Sequence, residues 1–257
     1  MGNTNDLFGD YNLTLVILAF IVSAASSYCA LELVAHVSGL GTATRRAWLF
    51  GGATIFGLGV WAMHFIGMLA FSLPVPIAYH LPTVILSMLP AIGAAALALN
   101  LTTGKQMTPA RLVIGAVLMG VGIGGMHYSG MFAMRMHAHT YYDLRFFLLS
   151  VVFAVVASLF SLYSAFNLRD EYSDGMERVL AGGIMGAPIT GLHFTAMIYA
   201  SRFAPLGGTA AAPEGGLVVS IPASGAVILA VVVIGAIGIV LGRVRKSVGL
   251  AAKTVSA

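Results

Sequence analysis

Apolar residues in this sequence do not alternate or form narrow stripes; they run together in seven stretches, each long enough to cross a bilayer as a helix of about 20 residues. Turn residues and charges between the stretches predict helices at about 11–37, 46–72, 80–101, 110–136, 143–167, 177–201 and 218–242. The connecting loops are short. The first stretch follows Asp6 and Asp10 rather than a basic region, and its apolar run exceeds a signal-peptide core. It is therefore expected to remain as a spanning helix.

Basic residues near helix ends stay on the cytoplasmic side. Counting helices puts Arg45, Arg46, Lys105, Arg111, Arg169, Arg178, Arg243, Arg245, Lys246 and Lys253 on one side, against Arg135, Arg145 and Arg202 on the other. The expectation is an all-α membrane protein with seven transmembrane helices, built as three helical-hairpin repeats plus a final helix, with the N-terminus outside and the C-terminus in the cytoplasm. Residues 1–10 form the extracytoplasmic N-terminus, 11–242 the membrane domain and 243–257 a short cytoplasmic tail. A tail of that size holds no catalytic domain, so any enzymatic output is expected elsewhere than in these residues.

Composition agrees with the pattern. Hydrophobic residues make up 59% of the 257 and charged residues 9%, whereas an average soluble domain is about 25% charged. A soluble enzyme of this size would need a more charged surface. The net charge of +4 is too thinly spread for a nucleic-acid interface. The single cysteine, Cys29, lies inside an apolar run and reads as a small packing residue. A metal would have to find imidazole, thioether or carboxylate, and the chain offers seven His and 13 Met.

One pattern occurs three times: Met63-His64-Phe65-Ile66-Gly67-Met68, Met126-His127-Tyr128-Ser129-Gly130-Met131 and Leu192-His193-Phe194-Thr195-Ala196-Met197. The copies fall on the second, fourth and sixth helices, so three imidazoles share one depth, roughly 12–14 Å below the predicted outer helix ends. A methionine follows each histidine by four positions, on the same helix face. Small residues recur seven positions before each histidine (Gly57, Gly120, Gly186) and three after it (Gly67, Gly130, Ala196), which lets membrane helices approach closely. The repeats are expected to converge about a pseudo-threefold centre. Imidazole with thioether, and no thiolate or carboxylate, favours copper, particularly Cu(I). The candidate ligands are His64, Met68, His127, Met131, His193 and Met197. Met63 and Met126 point about 100° away and are candidates for a neighbouring helix or a second copper; the third copy has Leu192 there.

These motifs resemble the MHYT family of bacterial integral membrane sensor domains, whose name Met126-His127-Tyr128-Ser129 nearly spells. The resemblance covers almost the whole chain. It implies a multi-pass protein of the bacterial inner membrane, copper held by the motif His and Met residues, and sensing of oxygen, carbon monoxide, nitric oxide or another diatomic gas. It also implies a cytoplasmic signalling partner, since family members often continue into domains that make or degrade cyclic di-GMP or into histidine kinases.

Other residues carry weaker signals. His137 and His139, with Met134 and Met136, lie in an outer loop that could collect copper, although a solvated loop is the favoured reading; His80 reads as interfacial. Glu32, His36, Asn100 and Asn167 sit near the opposite helix ends as a candidate polar network. Pro188 could kink the sixth helix, and Trp61 reads as packing. Two other functions compete with a sensor. Copper transport would want ligands at successive depths, for which Met119, Met185 and Glu32 are the candidates. A haem or copper redox enzyme leaves the third histidine or the substrate pocket unexplained.

Overall fold

The computed structural model describes residues 7–37, 42–102, 108–168, 175–206 and 217–255. Lys105 and Arg169 lie outside the described residues, as do the side chains of His36, Asn167, Arg178, Arg245, Lys246 and Lys253. In chain order the elements are β1 (Asp10–Tyr11), α1 (Leu13–Val37), α2 (Thr42–Ala70), β2 (Phe71–Ser72), β3 (Ala78–His80), α3 (Leu81–Leu86), α4 (Met88–Thr102), α5 (Pro109–Phe132) and β4 (Met134–Arg135). They continue with β5 (Ala138–Tyr142), α6 (Leu144–Leu168), α7 (Gly175–Thr195), a π-turn (Ala196–Ala200), β6 (Ser201–Pro205), β7 (Val218–Val219) and α8 (Ser224–Val255).

Seven helical segments are long and apolar enough to cross a membrane. Their outward faces carry large apolar side chains such as Val121, Val152, Ile228 and Val231, each more than half exposed. Lipid is the solvent that tolerates such a surface. The chain is a multi-pass membrane protein.

The elements repeat as units. In each, a short strand precedes a helical hairpin and pairs antiparallel with the strand that follows it: β1 with β2, β3 with β4, β5 with β6. The three ribbons lie at one end of the bundle and β7 adds to β3. The hairpins close into a ring in the order α1, α2, α4, α5, α6, α7 and back to α1, while α8 lies outside it against α1 and α2. Glycine sets the spacing between repeats. A Cβ on Gly57 would stand 2.7 Å from Ile92 Cα, one on Gly120 2.6 Å from Val155 Cα, and one on Gly186 2.6 Å from Ala24 N. Each of these glycines therefore abuts the first helix of the next repeat, rather than the centre of the bundle.

Several predicted boundaries move. The second and fourth helices stop at Ala70 and Phe132, not 72 and 136, because ribbon strands begin there. His64 and His127 thus lie six and five residues from their helix ends, about 8–9 Å rather than 12–14 Å. The third predicted helix is broken at Ser87. Pro90 explains the break: it has no N–H for the Leu86 carbonyl and its ring would clash there. The Trp61 indole N–H donates to the nearby Val84 carbonyl at 2.9 Å and to Ser87 Oγ at 3.1 Å. Across Pro188, α7 continues unbroken. The last helix starts at Ser224 and runs to Val255, so most of the expected tail from 243 is helical.

Candidate metal centre

The three motif histidines meet. Their helices reach the middle of the ring from three repeats, and His64, His127 and His193 are each no more than 1% exposed. The Nδ1 atoms form a triangle with sides of 2.9 Å (His64 to His193), 3.2 Å (His127 to His64) and 3.3 Å (His193 to His127). The rings stand nearly perpendicular to one another, at 78–83°.

Proton counting shows that the triangle does not satisfy itself. A neutral imidazole carries one N–H. An Nδ1 that donates cannot also accept, so three Nδ1 atoms cannot close a cycle of hydrogen bonds. The three Nε2 atoms are also buried, without a hydrogen-bond partner. Buried polar groups left unpaired cost about 1–3 kcal/mol each, so the facing Nδ1 lone pairs that no hydrogen bond satisfies call for a ligand. An ion about 2.0–2.1 Å from three nitrogens holds them about 3.3–3.6 Å apart. The observed sides fall at or within a few tenths of an ångström of that range, and the cluster can accept one metal with little movement. Among the described residues this is the one group of histidine, cysteine or carboxylate side chains close enough to share an ion, and it contains no carboxylate.

Sequence spacing puts further rings above and below. On the ribbon side, Met68, Met131 and Met197 are buried in one apolar cluster with Phe65, Phe71 and Tyr79. On the other side, Met63, Met126 and Leu192 belong to the main core, with Val60, Ile123 and Ile189 one turn before each histidine. Gly67 and Gly130 set the fit at the centre: a Cβ on either would strike a histidine of another repeat, His193 and His64 respectively, at Nε2. The third copy has Ala196 there, and at that residue the α-helix gives way to the π-turn. The turn adds a residue, so His193 lies eight positions from Ser201, whereas His64 lies seven from Phe71.

Three tyrosines are a signal absent from the sequence reading. Tyr11, Tyr79 and Tyr142 occupy equivalent ribbon positions, opposite Phe71, Met134 and Ser201. Each stands edge-on to the aromatic residue after a motif histidine of the preceding repeat: Tyr79 to Phe65, Tyr142 to Tyr128, Tyr11 to Phe194. Those aromatics in turn stand edge-on to His64, His127 and His193. Burial raises the Tyr11 and Tyr79 phenols above their ordinary value, so they stay protonated. The run Tyr-Asn/His/Asp-Leu, three times in the sequence, could have revealed them.

The remaining candidates stand apart from the triad. His137 is half-buried and His139 exposed on a ribbon, while Met134 joins the methionine cluster and Met136 packs on it. His80 stands at the N-cap position of α3 without a side-chain cap to its backbone, its Nδ1 2.7 Å from Thr83 Oγ1. Glu32 is buried in α1 and Cys29 packs with Leu33 and Ile237.

The chain matches the family described as MHYT, bacterial signalling protein N-terminal repeat, over residues 57–115 and 120–174. The chain belongs to the MHYT repeat family. The two matches start 63 residues apart, at glycines seven positions before His64 and His127. His193 lies beyond both matches, and the structure supplies the third MHYT unit by its shape. The chain is 42% identical to the bifunctional diguanylate cyclase/cyclic di-GMP phosphodiesterase MucR of Pseudomonas aeruginosa, over 78% of this chain and 29% of that protein. It is 36% identical to the cyclic di-GMP phosphodiesterase NbdA of the same organism, over 73% and 24%, and 31% identical to the signaling protein YkoW of Bacillus subtilis, over 74% and 24%. The chain thus spans less than a third of these curated relatives. No solved structure matches it.

Proposed function

We propose that this chain is the membrane sensor module of a bacterial signalling system. One Cu(I) ion is held by the Nδ1 atoms of His64, His127 and His193, with a thioether from the Met68, Met131 and Met197 ring on the ribbon side. The observation that carries this reading is the convergence of three Nδ1 atoms whose contacts cannot all be hydrogen bonds. The donors are neutral, and the charging cost of an ion in lipid rises as the square of its charge. A divalent ion here would cost about four times as much as a monovalent one. That favours Cu(I) over zinc, as does the soft donor set. Met63 and Met126 pack beneath the triad rather than ligating.

A bound copper supplies an affinity for diatomic gases and a redox couple. The signal is accordingly oxygen, carbon monoxide, nitric oxide or a change of redox state, and the helices of the three repeats respond as their histidines shift. The triad lies toward the outer face of the bacterial inner membrane, and the response passes to a cytoplasmic partner of the kind its relatives suggest, one that makes or degrades cyclic di-GMP. Met119 and Met185 line the axis further from the ribbons, but the Val60, Ile123 and Ile189 layer between them and the triad carries no donor, which favours a sensor over a transporter.

The deciding experiment is copper content by mass spectrometry on the full chain in lipid nanodiscs. The native chain is compared with a variant carrying His64→Ala, His127→Ala and His193→Ala. The native chain should retain about one copper and the folded variant none. Equal retention, or an empty native chain after copper supply, would overturn the reading.

A further inference from the structure

Below the triad the bundle is not fully packed. A cavity lies among all six ring helices, with about 20 Å3 of room for the centre of a water-sized sphere, where one such sphere needs about 10–15 Å3. Six of its lining residues form two repeat-related rings. Phe56, Met119 and Met185 each lie eight positions before a motif histidine; Leu31, Leu99 and Leu162 each lie twenty positions after a ribbon tyrosine. Residues so related converge on the axis on which the histidines meet, so the cavity is axial. Phe56 is near the middle of α2, about 12 Å below His64 along the helix.

The chemistry of the wall selects the occupant. Every lining residue is apolar and less than 9% exposed, so a water entering would find none of the two to four polar partners it needs. Cavities of this kind stay dry and take small apolar guests. We propose that this axial cavity is a binding site for one small apolar gas molecule, separated from the triad by the apolar side chains of Val60, Ile123 and Ile189 and of Met63, Met126 and Leu192. Its part in signalling rests on the gas-sensing reading above; the binding itself needs no metal.

Xenon is the probe. The full chain in nanodiscs, labelled at the methionine methyl carbons, is titrated with xenon pressure and followed by NMR. The Met119 and Met185 methyl signals should shift and saturate, while Met176, 69% exposed, should not saturate. Ala95→Val places two methyl groups into the cavity wall and should abolish the saturable shift. A response at Met119 and Met185 that is absent, or that grows linearly and equally at Met176, would show only partition into lipid and overturn the proposal. Should the variant fail to fold, the native titration still decides. Copper content, measured separately, tells a failure of this site from a failure of the metal centre.

Discussion

A methyl group on Gly130 would collide with the Nε2 edge of His64, and one on Gly67 with that of His193. Two hydrogen atoms in place of methyls thus let the imidazoles close to within 3.3 Å. Gly130→Ala should therefore weaken copper binding. Overpacking costs about 1–3 kcal/mol, which corresponds to about a five- to 150-fold loss of affinity, read by competition with a Cu(I) chelator. Gly124→Ala, on the same helix with open space around it, should change affinity little. At this scale the sequence was most informative. Three His and three Met at fixed spacing stood out because polar and polarisable side chains recurring within apolar helices are rare. The partner of each glycine was not legible, since the repeat spacing alone does not say which helix lies across from Gly57 or Gly67.

Helix caps repeat as well. Asn12 Oδ1 accepts from Leu15 N at 3.3 Å, Asp143 Oδ1 accepts from Arg145 N at 2.9 Å, and His80 holds the corresponding position before α3. Replacing Asp143 by Ala should cost about 1 kcal/mol, seen as a lower thermal midpoint with copper content unchanged. The predicted helices were sound in number and order because apolar runs of membrane length are hard to mistake. Their ends were less so. The ribbon strands β1, β2 and β4 are two residues long and lie no more than one residue from a helix, so most of their residues read as helix continuation. The break at Ser87 had a visible cause in Pro90, yet a proline in a membrane helix is as often accommodated, as Pro188 is in α7. The π-turn has no sequence signature beyond the wider spacing of the third copy.

For the molecule as a whole, the convergence of the histidines makes a stoichiometric prediction. Three separate sites would each lose a metal independently, whereas a shared centre fails as a unit. His64→Ala, His127→Ala and His193→Ala, made singly, should each abolish most copper retention rather than a third of it, measured as copper per chain in the folded protein. The pseudo-threefold centre was legible from the three motifs. The ring that holds it was not, because each unit leans on the next: Gly57 on Ile92, Gly120 on Val155, Gly186 on Ala24.

A closed ring of three like units has no preferred direction of movement; if its centre tightens or slackens, the three arms share the displacement. The helix α8 removes that evenness, because among the described residues it packs chiefly against α1 and α2. Breathing of the ring would thus become a sideways thrust on one rod, and a symmetric event at the axis would acquire a bearing, much as a cam turns rotation into a stroke.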